Sequence, residues 1–181
     1  MAHHIYHTTA FVCAEKPLGE HNRAYKLFTR ELGMVVATAQ AVRKLQSKAR
    51  LAIVLYKFAK VDMVRGKAMW RIGSTQSHDV ADVEMRRVSA RIASILLRLI
   101  PEEEPNEPLF NEIILLHPYL AEGVFELALV ARILFHLGYW NREFTDVLIV
   151  GTIDELRVYG QTMERTDIVR NINTLLDETQ L

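Results

Sequence analysis

The sequence predicts an α+β chain, with a small five-stranded β-barrel over residues 1–77 and an α-helical bundle over residues 78–181. Three observations carry this. Up to about residue 72, β-branched and aromatic residues fall in short runs separated by turn formers. Beyond residue 79, apolar residues recur at helical spacing. Charge divides at the same place: residues 1–79 hold 13 Lys+Arg against 5 Asp+Glu, and residues 80–181 hold 9 against 17, so a net charge of zero conceals halves of +8 and −8.

Taken in order, Ile5 to Ala14 reads as the first strand, closed by the turn chemistry of PLGE at 17–20. Arg23 to Thr29 forms the second. A turn at Glu31 to Gly33 follows, where glycine supplies a positive φ, and Met34 to Val42 is the third strand. The basic connector RKLQSKAR, residues 43–50, leads into a fourth strand from Leu51 to Val64. Arg65, Gly66 and Lys67 have hairpin chemistry, and Ala68 to Ile72 is the fifth strand. Five strands in about 70 residues fit a closed barrel of the OB type.

GSTQS at 73–77 reads as a linker. A helix then runs from Val80 to Ile100 and stops at PEEEPNEP, residues 101–108, whose prolines and carboxylates predict a solvated loop without a functional role. Leu109 to Leu116 and Gly123 to Leu137 are two apolar helices, the second capped by Gly138. Ile153 to Tyr159 and Thr166 to Asp177 add two shorter ones. The apolar runs IILL (113–116) and LALVA (127–131) are broken by charges well short of the roughly 18 residues that span a bilayer. With no export signal at its first residues, the chain is expected in the cytoplasm.

Enzyme chemistry has little support. There is no GxSxG, no phosphate-cradling glycine loop and no recognisable carboxylate pair. One cysteine, Cys13, excludes an intrachain disulfide and multi-thiolate zinc. His3, His4 and His7 lack nearby carboxylates or thiolates to complete a metal shell. No catalytic residue, metal or cofactor is expected.

A +8 excess on some 80 residues suits a polyanion, because each neutralised phosphate releases condensed counterions. Arg43, Lys44, Lys48 and Arg50 of the connector, with Arg23, Lys57, Lys60, Arg65, Lys67 and Arg71 on the strands, are the candidate nucleic-acid surface. Period-2 geometry sets Trp70 on the face opposite Lys67 and Arg71, which favours a core role over base stacking. Tyr25, Tyr56 and Phe58 are the other aromatic candidates for stacking. Two plainer readings compete: the cations serve solubility, or the oppositely charged halves attract each other.

GEHNRAYKLFTRELG, residues 19–33, resembles the N-terminal pattern of the RecO recombination mediators: Gly-Glu, a strand ending Leu-Phe-Thr, then a Glu-x-Gly turn. AQAVRK at 39–44 stands where that family has Ala-Lys-Gly and two basic residues. Gln40 and Ala41 are the departures, removing a phosphate-binding lysine and a flexible glycine. SKAR at 47–50 resembles the next basic segment. PLFNE at 108–112 and FELALVARILFHLGY at 125–139 are similar to the family's C-terminal helices. After Leu-Gly-Tyr many relatives carry a four-cysteine zinc module, whereas this chain continues WNRE without cysteine.

The resemblance implies a non-enzymatic protein that binds single-stranded DNA, promotes annealing and helps a recombinase load onto protein-coated DNA. Its implied partners are RecR, the C-terminal tail of single-stranded-DNA-binding protein and, indirectly, RecA, with no membrane partner. Arg132, beside Leu129 and Phe135, is the candidate anchor for the acidic tail's terminal carboxylate. The plainer reading pairs Arg132 with Glu126 or Glu122 on the helix surface. The alternative functions are an OB-fold RNA-binding protein or a structural adaptor.

Overall fold

The computed structural model describes residues 4–40, 53–77, 83–140, 146–162 and 165–178. Five strands, β1 (Ile5–Leu18), β2 (Asn22–Thr29), β3 (Gly33–Ala39), β4 (Phe58–Arg65) and β5 (Trp70–Ser77), close a barrel in the order β1-β2-β3-β5-β4. That is the five-stranded barrel of the OB fold, followed by helices. All neighbours are antiparallel except β3 and β5, which pair in parallel over Ala37↔Trp70, Thr38↔Arg71 and Ala39↔Ile72.

Alternation along the strands decides what fills the barrel. Ala10 and Val12, Tyr25 and Leu27, Val35, Ala37 and Ala39, Ala59, Val61 and Met63, and Trp70 all point inward and are buried. Four small alanines on three strands leave room for the rings of Tyr25 and Trp70. Trp70 is thus a core residue, donating its indole N–H to Glu103 Oε1 at 3.1 Å. Tyr25 is fully buried as well, so the expectation that it offers a stacking surface is corrected: its position in β2 has inward parity.

Several strand limits differ from expectation for local reasons. β1 continues through Pro17 to Leu18, paired with Asn22, because proline's missing donor costs nothing where its ladder position asks for none. β4 starts at Phe58, since Tyr56 takes a left-handed φ of 66° that breaks an extended run from Leu51. The expected hairpin turn extends to Met69, whose carbonyl accepts from Gly66 N–H at 3.1 Å. GSTQS is no linker but the second half of β5, paired with β4 from Ala59 to Asp62. Ladder bonds need only backbone groups, so a polar run on one exposed face serves as a strand.

The turn between β2 and β3 has a visible cause. Thr29, fully buried, donates its hydroxyl to Gly33 O at 2.9 Å and accepts from Leu32 N–H at 3.2 Å. Gly33 has φ +70°, and a Cβ there would strike the backbone of Glu104.

Beyond the barrel come α1 (Val83–Leu99), α2 (Glu107–Leu116), one 3-10 turn (His117–Tyr119), α3 (Gly123–His136), α4 (Asp146–Val150), α5 (Ile153–Thr162) and α6 (Arg165–Glu178). Contacts group the chain into two compact units, Met1–Glu107 and Pro108–Leu181. α1 belongs with the strands: Val88, Ile92 and Leu96 share a buried stripe, and the helix packs on β1. In the second unit α3 is buried on nearly all sides, with α4, α5 and α6 against it. Gly138, at φ +81°, ends α3. The short α4 is absent from the sequence expectation.

Gly33→Ala is expected to lower the unfolding free energy in urea by about 3 kcal/mol, from left-handed strain plus a backbone collision. Gly19→Ala, also at positive φ but with open space around it, should cost about 1 kcal/mol. Equal losses for the two would remove the collision from the explanation.

Candidate nucleic-acid interface

Cross-strand register brings together side chains that the sequence separates. On the outer surface, Lys16 lies beside Ala24, Ala24 beside Thr38 and Thr38 beside Arg71, while the next row joins Ala14, Lys26 and Val36. Lys16 and Arg71 are exposed and Lys26 is half-exposed. Small residues lie between these cations, and a shallow cavity of about 180 Å³ is lined by Ala14, Glu15, Lys16, Ala24, Tyr25, Lys26 and Val36. Phosphates could approach between these small side chains, in competition with the carboxylates of Glu15, which lines the cavity, and Glu102, 3.2 Å from Lys26 Nζ. Sequence reasoning missed Lys16 and Lys26; for Lys26, its alternation with buried Tyr25 and Leu27 was the available signal.

The other candidates are dispersed. Arg65, Lys67 and Arg71 sit around the β4–β5 turn, all exposed. Lys60 lies towards the far end of β4, opposite Gln76, in a polar depression of about 350 Å³ with His7, Thr9, Asp62 and Ser74. Asp62 there accepts from Ser74 Oγ and contacts His7 Nδ1 at 2.6 Å, and these bonds hold its carboxyl below the usual carboxylate range. Ser74 bonds the carboxylate rather than the imidazole, so the three make no nucleophilic relay. Lys57 is half-buried. Arg43, Lys44, Lys48 and Arg50 lie outside the described residues.

Carboxylates temper this surface. Arg23 donates to Glu15 at 2.7 Å. Arg65 donates to Glu103, and that bond holds the Glu103 carboxyl below its ordinary range. Arg65 also stands over the Trp70 ring, 5.0 Å from its centre. Phe58 is half-buried against Phe11, at 5.2 Å between ring centres, and Tyr56 is half-buried in the loop before it. Cys13 is buried, which pushes its thiol up to about 12 and leaves it inert at neutral pH.

In the second unit Arg132 is placed otherwise than expected. It is 4% exposed; its Nε donates to Leu148 O at 3.0 Å, another nitrogen donates to Gly151 O, and a third to Glu112. Its donors hold α2, α3 and the end of α4 together, so in this arrangement they are not offered to a peptide carboxylate. Of the expected surface partners, Glu122 pairs instead with Arg157 at 3.1 Å. Leu129 is fully buried, and of the three candidates Phe135 alone is exposed. A long apolar run hid this, because α3 is buried on the face where an isolated helix would leave arginine in water.

Among the described residues no cluster of three His, Cys, Asp or Glu gathers as metal ligands, and no helix is long and apolar enough to cross a membrane.

Residues 1–78 match the family model described as Recombination protein O N terminal. The chain is 28% identical over 112 residues to the DNA repair protein RecO of Desulfitobacterium hafniense, covering 59% of this chain and 41% of that one. It is 25% identical over 113 residues to the RecO protein of Dehalococcoides mccartyi, covering 60% and 45%. With that of Pelotomaculum thermopropionicum it shares 26% over 143 residues, covering 75% and 56%. The chain thus spans about half the length of the curated relatives it matches.

Removing Arg132 leaves Glu112 and two carbonyls without their cation, and Arg132→Leu should cost about 3–5 kcal/mol in urea unfolding. The double variant Arg132→Leu with Glu112→Leu is expected to regain part of that loss. Additive losses would instead mean that the two charges are not coupled.

Proposed function

We propose that this chain, which belongs to the RecO family, acts in DNA repair and homologous recombination by binding single-stranded DNA on its barrel. The observation that carries the reading is that the family-matched barrel holds Lys16, Lys26 and Arg71 on two neighbouring outer rows with small side chains between them. OB barrels commonly bind oligonucleotides on the face of their second and third strands and on the flanking loops. Arg23, Arg43, Lys44, Lys48, Arg50, Lys57, Lys60, Arg65 and Lys67 extend the positive field.

Binding alone supplies the energy, with no catalytic residue, metal or cofactor in the mechanism. Phosphate contacts fix the strand without reading its sequence, as a mediator that works along any single strand requires. Two strands held in extended form pair faster, and a strand held by the barrel is loosened from the protein coating it; annealing and recombinase loading follow from these two effects. RecR, the tail of single-stranded-DNA-binding protein and, indirectly, RecA are the partners in this reading. The tail's docking place is the second unit. There Phe135 is exposed, while Arg132 and Leu129 must rearrange before they take part.

Charge reversal tests it. Lys67→Glu with Arg71→Glu, and separately Arg43→Glu with Lys44→Glu, should weaken binding of a labelled oligothymidine in fluorescence anisotropy. Each lost phosphate contact should also flatten the slope of log affinity against log salt by roughly 0.7. Unchanged affinity and slope in both pairs would reject the barrel as the binding surface.

A further inference from the structure

The segment between α1 and α2 is exposed, as its prolines and glutamates suggest, but it is not a free spacer. It is fastened to the barrel by backbone and side chain independently. Glu103 N–H donates to Met34 O at 2.8 Å, Glu102 forms a bridge with Met34, and the Glu104 backbone packs on Gly33 where no Cβ could fit. From this anchored backbone two consecutive carboxylates reach cations. Glu102 lies 3.2 Å from Lys26 Nζ, and Glu103 accepts from both Arg65 and the Trp70 indole.

We propose that Glu102 and Glu103 form a built-in competitor of the nucleic acid: their carboxylates hold Lys26 and Arg65 as phosphates would, and a strand must displace them to bind fully. The inference rests on the reading that the barrel binds single-stranded DNA. Carboxylate and phosphate offer these cations the same chemistry, acceptor-only oxygens bearing negative charge. The pairs are also weak enough to exchange. Arg65 and Glu103 keep 52% and 48% of their side chains exposed, and Lys26 and Glu102 keep 42% and 58%. Such pairs lie in the range where solvent and salt leave little net attraction. The carboxylates can swing away while the strap stays, because the backbone bonds to Met34 and the seat on Gly33 do not depend on them. Trp70 and Arg65 would then be released together, since one carboxylate oxygen serves both.

A consequence for selectivity follows. A short or sparsely charged strand gains too few phosphate contacts to displace two carboxylates, whereas a longer strand offsets the competition with contacts elsewhere on the barrel. The strap thus favours extended single strands over isolated phosphates.

The test measures binding of labelled oligothymidine by the full chain at fixed salt, for wild type, Glu103→Gln and the pair Glu102→Gln with Glu103→Gln. Glutamine keeps the oxygen that accepts from Trp70, and thermal melting of each variant checks folding. The paired variant is expected to bind on the order of fivefold tighter. Glu104→Gln, a change of the same charge on the exposed neighbouring side chain, should shift affinity much less. In a background carrying Lys26→Ala and Arg65→Ala the gain should vanish. Tightening that persists in that background, or that Glu104→Gln equals, is a general charge effect and overturns the proposal. If wild type binds and the paired variant binds no tighter, the strap is no competitor while the barrel reading stands. If neither protein binds, the barrel reading itself has failed and the strap proposal with it.

Discussion

Closure of the barrel depends on β1 serving two partners. Its first half, Ile5 to Phe11, pairs with β4, and its second half, Ala10 to Leu18, pairs with β2. A register shift between Val12 and Ala14 lets the strand bend from one partner to the other, as bulges do. At the bend Val12 exchanges backbone bonds with the loop before β4, donating to Lys57 O and accepting from Tyr56 N–H. The ring then closes through three rows of parallel pairing between β3 and β5. Everything else takes its parity from that closure, including the inward rings of Tyr25 and Trp70 and the outward amines of Lys16 and Lys26.

Much of this was legible in the chain. The strand count and most strand positions followed from β-branched and aromatic runs, and α2, α3 and the cap at Gly138 from apolar period and glycine. The failures share a cause, which is that pairing partners distant in sequence override local composition. Ser74, Thr75 and Gln76 look like a linker until β4 is beside them. Pro101 to Glu104 looks like an unattached loop until Met34 supplies an acceptor and Gly33 a seat. Arg132 looks like a surface group until α4 brings two carbonyls to it. A helix as short as α4 has too few turns for periodicity to register.

Charge divides more sharply at the change from strand to helix, where the two halves carry +8 and −8, than at the boundary of the packed units. The compact unit ending at Glu107 holds 17 Lys+Arg against 11 Asp+Glu, and the unit from Pro108 holds 5 against 11, giving +6 and −6. The first unit's carboxylates are placed selectively: Glu15, Glu102 and Glu103 each lie against a named cation. Its surface is therefore a positive field locally held in check, whereas the second unit keeps its buried cation for its own assembly.

Hydrogen exchange of the full chain with and without an oligothymidine strand tests the central claim most directly, because it localises the strand without altering any residue. Slowed exchange in the barrel peptides covering β2, β3 and the β4–β5 turn is the predicted result. Protection confined to residues 108–181, with the barrel unchanged, would contradict the account and move the binding surface to the acidic unit.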